Sequence, residues 1–348
     1  MKLTIFNKDQ YLPIISNISL FLNNTSPTYY TYLYNILLQI LDNYNNDLHI
    51  IDLTTKLDYY NLNNIIYLNC ENTNIDYLPN TLTLLKKLNI TNTKVNVIPK
   101  TFNNLIELFA AGSHLYKLSK KLINLESLTI NDTKIVKLKY YNNLEYLKCN
   151  NNLLTHIGKY PNLKFLICSN TLIRHFHDVI YYNILYNHKV KYNKNIFDNL
   201  IHLNCSNTNI QELSIPLNNL KYLDISNTLI TKLLYRSLLN LEILISNNNL
   251  LEEINKSLIN IKTLSIDNNH IITKIPSTLL NLDYLSINNT THITKLSKKL
   301  KNIKFLSCEN SNLKAIPIIY FKLYYLNIIN TNIIYDKNFH KGLIFYFY

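Results

Sequence analysis

One unit of about 20 residues recurs along most of the 348-residue chain. Each copy begins at a leucine or isoleucine, defined here as position one, and carries further apolar residues at positions four, six and eleven. Position one occurs thirteen times, spaced by 19–21 residues except for one gap of 37, at Ile65, Leu85, Leu105, Leu125, Leu144, Leu163, Leu200, Leu220, Leu241, Ile261, Leu282, Ile303 and Leu323. A short repeat of this kind predicts a solenoid, in which each copy buries its apolar face against its neighbours.

Every position of the unit has a physical reason. Positions four and six alternate as the buried face of a short strand must. Position eight is nearly always asparagine, which tolerates the left-handed conformation of a turn. Position nine is a small polar residue, and we expect it to point inward as a structural ladder that satisfies buried backbone groups. Its predicted members are Thr73, Thr93, Thr133, Thr171, Thr208, Thr228, Asn249, Asn269, Thr290 and Thr331.

The unit LxxLxIxNTxIxxL resembles the leucine-rich repeat family, whose pattern is LxxLxLxxNxL, over residues 48–333. The resemblance implies an α/β solenoid, namely a right-handed horseshoe with a concave parallel β-sheet and short irregular or helical links on the convex side. The departure is threonine or serine where the family usually has asparagine. The composition and short repeat are also similar to those of leucine-rich repeat proteins from large DNA viruses that infect amoebae.

The two ends are expected to cap the solenoid. The stretch "SPTYYTYLYNILLQILDNY" has the spacing of an amphipathic helix, so residues 1–47 are interpreted as a helical N-terminal cap. Residues 334–348, which end in "GLIFYFY", are interpreted as a C-terminal cap, with a dimer contact as the alternative. The gap of 37 places about seventeen extra residues within 177–196, on the outer side of the solenoid.

The N-terminal region has a second interpretation. The stretch "YLPIISNISLFL" and the helix that follows it resemble an F-box, which precedes such repeats in substrate adaptors of ubiquitin ligases. The resemblance implies that Leu12, Pro13 and Ile18 would face an adaptor protein. No tryptophan or clear third helix follows, in contrast to that family.

All five cysteines occupy position six, where other copies have isoleucine: Cys70, Cys149, Cys168, Cys205 and Cys308. Free cysteine behaves as a small buried hydrophobe, so they are interpreted as buried thiols in the core. Three of them fall in consecutive copies and should stack about 4.8 Å apart. A thiolate metal site needs convergent ligands such as a CxxC pair, and we expect no metal. The histidines in and beside the extra segment also lack a ligand pattern.

The placement of charged residues bears on whether the chain binds nucleic acid. The formal charge is +13, but only Arg174 and Arg236 are arginines, and the lysines fall mainly in the links rather than on the strands. This placement argues against a nucleic-acid partner, which is kept as a second alternative.

No apolar run reaches the length of a membrane span, and Lys8 and Asp9 interrupt any signal sequence, so an intracellular location is expected. Catalytic motifs and glycine-rich phosphate loops are absent from the sequence, so we expect neither an enzyme nor a cofactor.

The remaining candidate site is the concave face. Positions three, five, seven, eight and ten should point out of the sheet, and position three is rich in aromatic residues, which protein-binding surfaces favour. We therefore predict a monomeric scaffold that binds a protein partner, for which a host protein is one candidate. The first alternative function is a substrate adaptor of a ubiquitin ligase. The opposing interpretation is that aromatic residues stack there only as good strand formers. The predicted partner-binding residues are Tyr67, Tyr146, Phe165, His202, Tyr222, Tyr284, Phe305 and Tyr325.

Overall fold

The computed structural model describes residues 66–176, 197–213, 215–233, 235–334, 343 and 345–347. In these ranges each of the thirteen copies supplies one three-residue strand, which covers positions three to five. By its contacts the chain divides after Leu154 into two compact units. Each unit is a stack of parallel strands joined by turns, so the predicted solenoid of one strand per copy is confirmed.

The first unit contains five strands in sequence order. They are β1 (Tyr67–Asn69), β2 (Lys87–Asn89), β3 (Glu107–Phe109), β4 (Ser127–Thr129) and β5 (Tyr146–Lys148). Each pairs in parallel with the next, and equivalent positions face each other, as Leu88 does Leu108. The repeat therefore fixes the register directly.

The second unit contains nine strands in the same parallel order. They are β6 (Phe165–Ile167), β7 (His202–Asn204), β8 (Tyr222–Asp224), β9 (Ile243–Ile245), β10 (Thr263–Ser265), β11 (Tyr284–Ser286), β12 (Phe305–Ser307), β13 (Tyr325–Asn327) and β14 (Phe345–Phe347). Among the described links only Tyr235–Ser237 forms a 3₁₀ turn. The last strand pairs with β13 in the common register, Tyr325 opposite Phe345. The chain end thus adds a strand that the repeat pattern did not predict.

The backbone ladder continues past each strand into the turn. The Cys205 amide donates to the Asp224 carbonyl at 2.9 Å, and the Asn207 amide donates to the Ser226 carbonyl at 2.8 Å. Between these bonds the chain must reverse direction, and Asn207 does so with a φ of 53°. Eleven further position-eight asparagine or aspartate residues also have φ between 52° and 60°, and Gly112 has 64°. The left-handed turn predicted from position eight is confirmed.

The core is built from the apolar positions of each copy. In the copy of β7, Leu200, Leu203, Cys205, Ile210 and Leu213 are all at most 3% exposed. Burying an aliphatic side chain of this size contributes about 1.5–3 kcal/mol. Since each copy repeats the same set, the apolar layers of one copy lie on those of the next.

Position nine caps the carbonyl of position six. The Thr208 hydroxyl donates to the Cys205 carbonyl at 2.7 Å, entirely within one copy. Asparagine does something different, because Asn249 donates to the Ile225 carbonyl of the preceding copy at 2.6 Å and accepts from the Thr228 amide at 2.9 Å. Threonine therefore closes one copy, whereas asparagine joins two.

A second row of asparagines lies in the links, immediately before position one. Each donates from its side-chain amide to a backbone carbonyl in the preceding link at 2.7–3.3 Å. The row consists of Asn104, Asn124, Asn143, Asn199, Asn219, Asn240, Asn260, Asn281 and Asn302. Links carry few backbone hydrogen bonds of their own, so these side chains hold successive links together.

Two phenylalanines join the ends of the long gap between copies. Phe176 and Phe197 are buried, and their rings meet edge to face with centroids 5.7 Å apart. The strands on either side keep the common register, Phe165 opposite His202. The extra residues near 177–196 therefore leave the stack intact.

Several sequence-based predictions concern residues outside the described ranges. They are the helical cap at 1–47, its F-box alternative and the structure of the 177–196 segment. Within the described ranges no helix is both long and apolar enough to cross a bilayer.

Candidate functional site

The candidate site is the strand face, defined here as positions three, five and seven, which point away from the core. Each unit has its own strand face. In the first unit Tyr67 on β1 and Tyr146 on β5 are separated by three strands, and between them Lys87 and Glu107 form an ion pair of 2.9 Å. The first unit therefore places no two of the predicted aromatic residues on neighbouring strands.

The second unit carries three aromatic rings in one continuous stack, here called the C-terminal ridge. The Tyr284 and Phe305 centroids are 4.1 Å apart with planes inclined by 10°. Phe305 and Tyr325 follow at 3.9 Å and 6°. Position three lies at the same point of each paired strand, so residues one copy apart bring their rings face to face.

A second group, the central ridge, consists of Phe165, His202 and Tyr222. The His202 and Tyr222 rings stack at 4.0 Å and 9°, whereas Phe165 is tilted by 32° at 5.9 Å from His202. Ile243 and Thr263 occupy position three between the two ridges. The second unit thus brings together six of the eight residues predicted to bind a partner.

Stacking decides which parts of the rings remain available to a partner. Within a stack each internal ring face is covered by the next ring, so the ring edges are the uncovered part of the internal ring. Ring edges are the electropositive part of an aromatic side chain. The C-terminal ridge therefore offers ring edges at its centre, and Phe305 has neither face free for a cation or a sugar ring.

A polar ladder that the sequence did not predict runs beside the C-terminal ridge. Asp267 at position seven accepts through Oδ1 from the Ser286 hydroxyl at 2.7 Å and from the Asn288 amide at 2.8 Å. The same pattern occurs one copy earlier and one copy later, where Asn247 and Asn288 are the acceptors. The recurrence of serine at position five and of an amide or carboxylate at position seven is the sequence signal for it.

The charges of the second unit are separated by position. Positions three, five and seven of β6 to β13 contain no lysine or arginine but include Asp224, Asp267 and Glu309. The lysines lie elsewhere, for example at position two, where Lys262 donates to Glu242 at 2.7 Å. The hydrogen bond and charge of this lysine lower the pKa of Glu242. The strand face is therefore acidic although the whole chain is basic.

The environment shifts the pKa of three ridge side chains. Burial lowers the pKa of His202 below its ordinary value, against an opposing effect of the Asp224 carboxylate. Burial raises the pKa of Tyr222 and Tyr284, and the negative charges of Asp224 and Asp267, respectively, add to this. The imidazole is consequently held neutral and the phenols protonated at neutral pH.

The five cysteines are all buried with free thiols. Cys168 and Cys205 lie at position six of the neighbouring strands β6 and β7, and Cys149 belongs to the other unit. The Cys205 thiol donates weakly to the Asp224 carbonyl at 3.6 Å. Burial raises the pKa of Cys308 to about 12 and also raises the pKa of Cys70, Cys149 and Cys205. These thiols therefore serve as core side chains.

The position-nine ladder is structural rather than part of the strand face. Each member with a hydroxyl donates to the position-six carbonyl of its own copy at 2.6–3.0 Å: Thr73, Thr93, Thr133, Thr171, Thr208, Thr228, Thr290 and Thr331. Across the described ranges, no three histidine, cysteine, aspartate or glutamate side chains gather closely enough to hold a metal ion.

Solved structures with the same architecture are leucine-rich repeat solenoids. The internalin inlF from Listeria monocytogenes matches with a TM-score of 0.68 at 17% identity, covering 96% of this chain and 94% of that one. YopM, a leucine-rich effector protein from Yersinia pestis, gives 0.67 at 17% identity over 93% of this chain and 84% of that one. The functional domain of InlJ from Listeria monocytogenes, which includes a cysteine ladder, gives 0.64 at 23% identity over 82% and 68%.

The comparisons define the fold and leave the partner open. No protein-family model matches the sequence. A search of curated proteins finds no match either. The chain therefore has the leucine-rich repeat fold, while its function has to be argued from its own strand face.

Proposed function

We propose that the protein is a non-enzymatic scaffold that binds a protein partner along the strand face of the second unit. The observation that carries this proposal is the pair of aromatic ridges on one face, in particular the continuous stack of Tyr284, Phe305 and Tyr325. Aromatic anchors that lose water on binding supply most of the energy of many protein interfaces.

The rigidity of this face favours binding. Each ring is fixed by its neighbours, and the polar groups beside the ridge already have hydrogen-bond partners, as Asp267 has Ser286 and Asn288. Little conformational entropy remains to be lost when a partner arrives. A partner also does not have to supply hydrogen bonds that the polar ladder lacks. Its donors can still bind the remaining lone pairs of the ladder's oxygen atoms.

Charge argues for a protein rather than a nucleic acid on this face. A phosphate backbone needs lysine or arginine along its path, and the strand face of β6 to β13 has neither. The strand face of the first unit has two basic side chains, Lys87, which is paired with Glu107, and Lys148. Nucleic acid therefore remains an alternative only for other surfaces.

The test begins with site-specific photo-crosslinking in lysate of the source cell. A crosslinking amino acid placed at Thr263, between the two ridges, should capture a protein that the same group at Lys120 in a link does not capture. Nuclease treatment should leave that product unchanged. Capture from the link alone, or a product that nuclease destroys, would overturn the proposal.

The captured partner is then used in binding measurements. Phe305→Ala and Tyr222→Ala should each weaken its affinity by about thirtyfold, equivalent to about 2 kcal/mol, while Lys120→Ala changes little. Circular dichroism of the free variants provides the control for folding. Co-purification of ubiquitin-ligase adaptor subunits that survives both ridge variants would instead favour the F-box alternative.

A further inference from the structure

We infer that the partner segment on the second unit is cationic and extended, with a lysine or arginine at about every third residue. This inference rests on the proposed function, because it describes the partner of the same strand face. It is drawn from the position and spacing of Asp224, Asp267 and Glu309 beside the two ridges.

These three carboxylates have no basic counterpart. Within the described part of the chain, none of them forms an ion pair, and their hydrogen bonds come from amides and hydroxyls, such as the Ser226 amide to Asp224 at 3.0 Å. Carboxylates off this face are treated differently. Glu242 and Asp283 at position two each have a lysine within 3.0 Å.

The contrast is informative because the chain has an excess of bases, with 35 lysines and arginines against 22 acids. Random placement of 35 bases among 348 residues would put about two of them among the 24 side chains at positions three, five and seven of β6 to β13. Three acids without an ion-pair partner on one face of such a protein leave a local negative potential, which favours a positively charged partner.

The spacing specifies the conformation of that partner. The carboxylates belong to the copies of β8, β10 and β12, that is, to every second strand, with Asp224 at position five and Asp267 and Glu309 at position seven. Strands are about 4.8 Å apart, so the acids recur about every 10 Å along the stack. A polyproline II segment advances about 9.3 Å per turn of three residues. Every third side chain of such a segment would therefore reach an acid.

The ridges complete the complementarity. Glu309 lies at position seven of the copy that carries Phe305, and Asp267 at position seven of the copy before Tyr284, so both acids lie beside the C-terminal ridge. An extended segment lying between them places its bases towards the acids and its intervening side chains against the rings. Phe305 does not compete for the cations, because the stack covers both of its faces.

The chain itself provides conservative replacements for two of the acids. Asn204 occupies the place of Asp224 in the preceding copy and accepts the same hydrogen bond, from the Ser206 amide at 3.0 Å. Asn247 likewise accepts the same pair of bonds as Asp267. Asp224→Asn and Asp267→Asn, together with Glu309→Gln, should therefore remove three charges while keeping the fold. Glu242→Gln is the matched control, since it removes a charge outside the strand face.

The probe is a fluorescent peptide of about twelve residues made of Pro-Pro-Lys repeats, which adopts the polyproline II conformation. Fluorescence anisotropy at low salt should show binding to the full chain, although its net charge of +13 repels the peptide at long range. The triple variant should bind on the order of tenfold more weakly. The Glu242→Gln control should stay within about twofold.

Two further peptides test the spacing of the lysines and the sign of the peptide's charge. A peptide of the same composition with its lysines grouped at one end should bind several-fold more weakly, and a Pro-Pro-Glu peptide should not bind. Equal binding of the regular and grouped peptides, or an equal effect of Glu242→Gln and the triple variant, would overturn the inference.

The outcomes also separate this inference from the proposed function. If the crosslinked partner loses affinity with Phe305→Ala but not with the triple variant, the strand face binds a protein that is not held by cations. The inference then fails and the proposed function stands. If neither change affects the partner, both fail.

Discussion

Replacing Thr208 with valine removes one buried hydroxyl and almost nothing else. Valine keeps the branched shape of threonine, so packing is nearly preserved. Thr208 is 4% exposed, and its hydroxyl donates to the Cys205 carbonyl at 2.7 Å. That carbonyl closes the turn after β7, where water cannot replace the lost donor. The substitution therefore leaves a buried acceptor without this partner.

The expected loss of unfolding free energy is about 1–3 kcal/mol, the cost of an unsatisfied buried polar group. Thr278→Val is the matched control in the same unit. Its hydroxyl also donates to a backbone carbonyl, that of Lys256 at 2.6 Å, but this hydrogen bond is exposed to solvent. Water can take over there, and the control should lose no more than about 0.5 kcal/mol.

Urea titration followed by circular dichroism measures the difference as a shift of midpoint at constant slope. Repeat stacks can unfold in steps, so native-state hydrogen exchange of the β7 and β8 amides should be measured alongside. Equal losses for the buried and the exposed threonine would refute the idea that position nine caps a buried carbonyl.

Other substitutions and titrations test further parts of the structure. Because burial raises the pKa of Cys308 to about 12, iodoacetamide at about pH 8 should label none of the five thiols in the native protein and all of them after unfolding; rapid native labelling would contradict their burial. Gly112→Ala should cost about 1–2 kcal/mol because its φ is +64°, whereas thermal melting of Gly158→Ala should show little change. Since the folded pKa of His202 is lowered from 6.5, its protonation favours unfolding, and stability should fall as pH drops below that value. Asp224→Asn should lower the NMR-measured pKa of His202 further, and a rise would be inconsistent with their proximity.

The fold was predictable because it depends on short-range periodicity. Each copy contacts mainly its neighbours, so a phase assigned from position one carries through the stack, as at Leu88 opposite Leu108. The fourteenth strand was not predicted from this periodicity. Phe345 follows Tyr325 by the usual 20 residues, but Tyr346 stands at position four, where each of the thirteen copies has leucine.

The site was predictable only in part. The alignment of Tyr284, Phe305 and Tyr325 follows from register, and their stacking follows from alignment. The acceptors at position seven were harder to foresee, because Asp267 and Asn288 are chemically different residues that perform the same task. The ion pairs join a lysine of one copy to an acidic residue of a neighbouring copy. Whether they form depends on the distance that the two side chains can span, which the sequence pattern does not give.

The choice of threonine at position nine bears on how the number of copies can change during evolution. A threonine copy carries the donor for its own carbonyl, so an in-frame duplication or deletion of about 20 residues leaves no neighbour with an unpaired group. Asn152, Asn249 and Asn269 break this independence, since each donates to a carbonyl of the preceding copy at 2.6–2.7 Å. Length variation among descendants of this gene should therefore concentrate in copies other than those of β4, β5 and β8 to β10, because those other copies are self-sufficient.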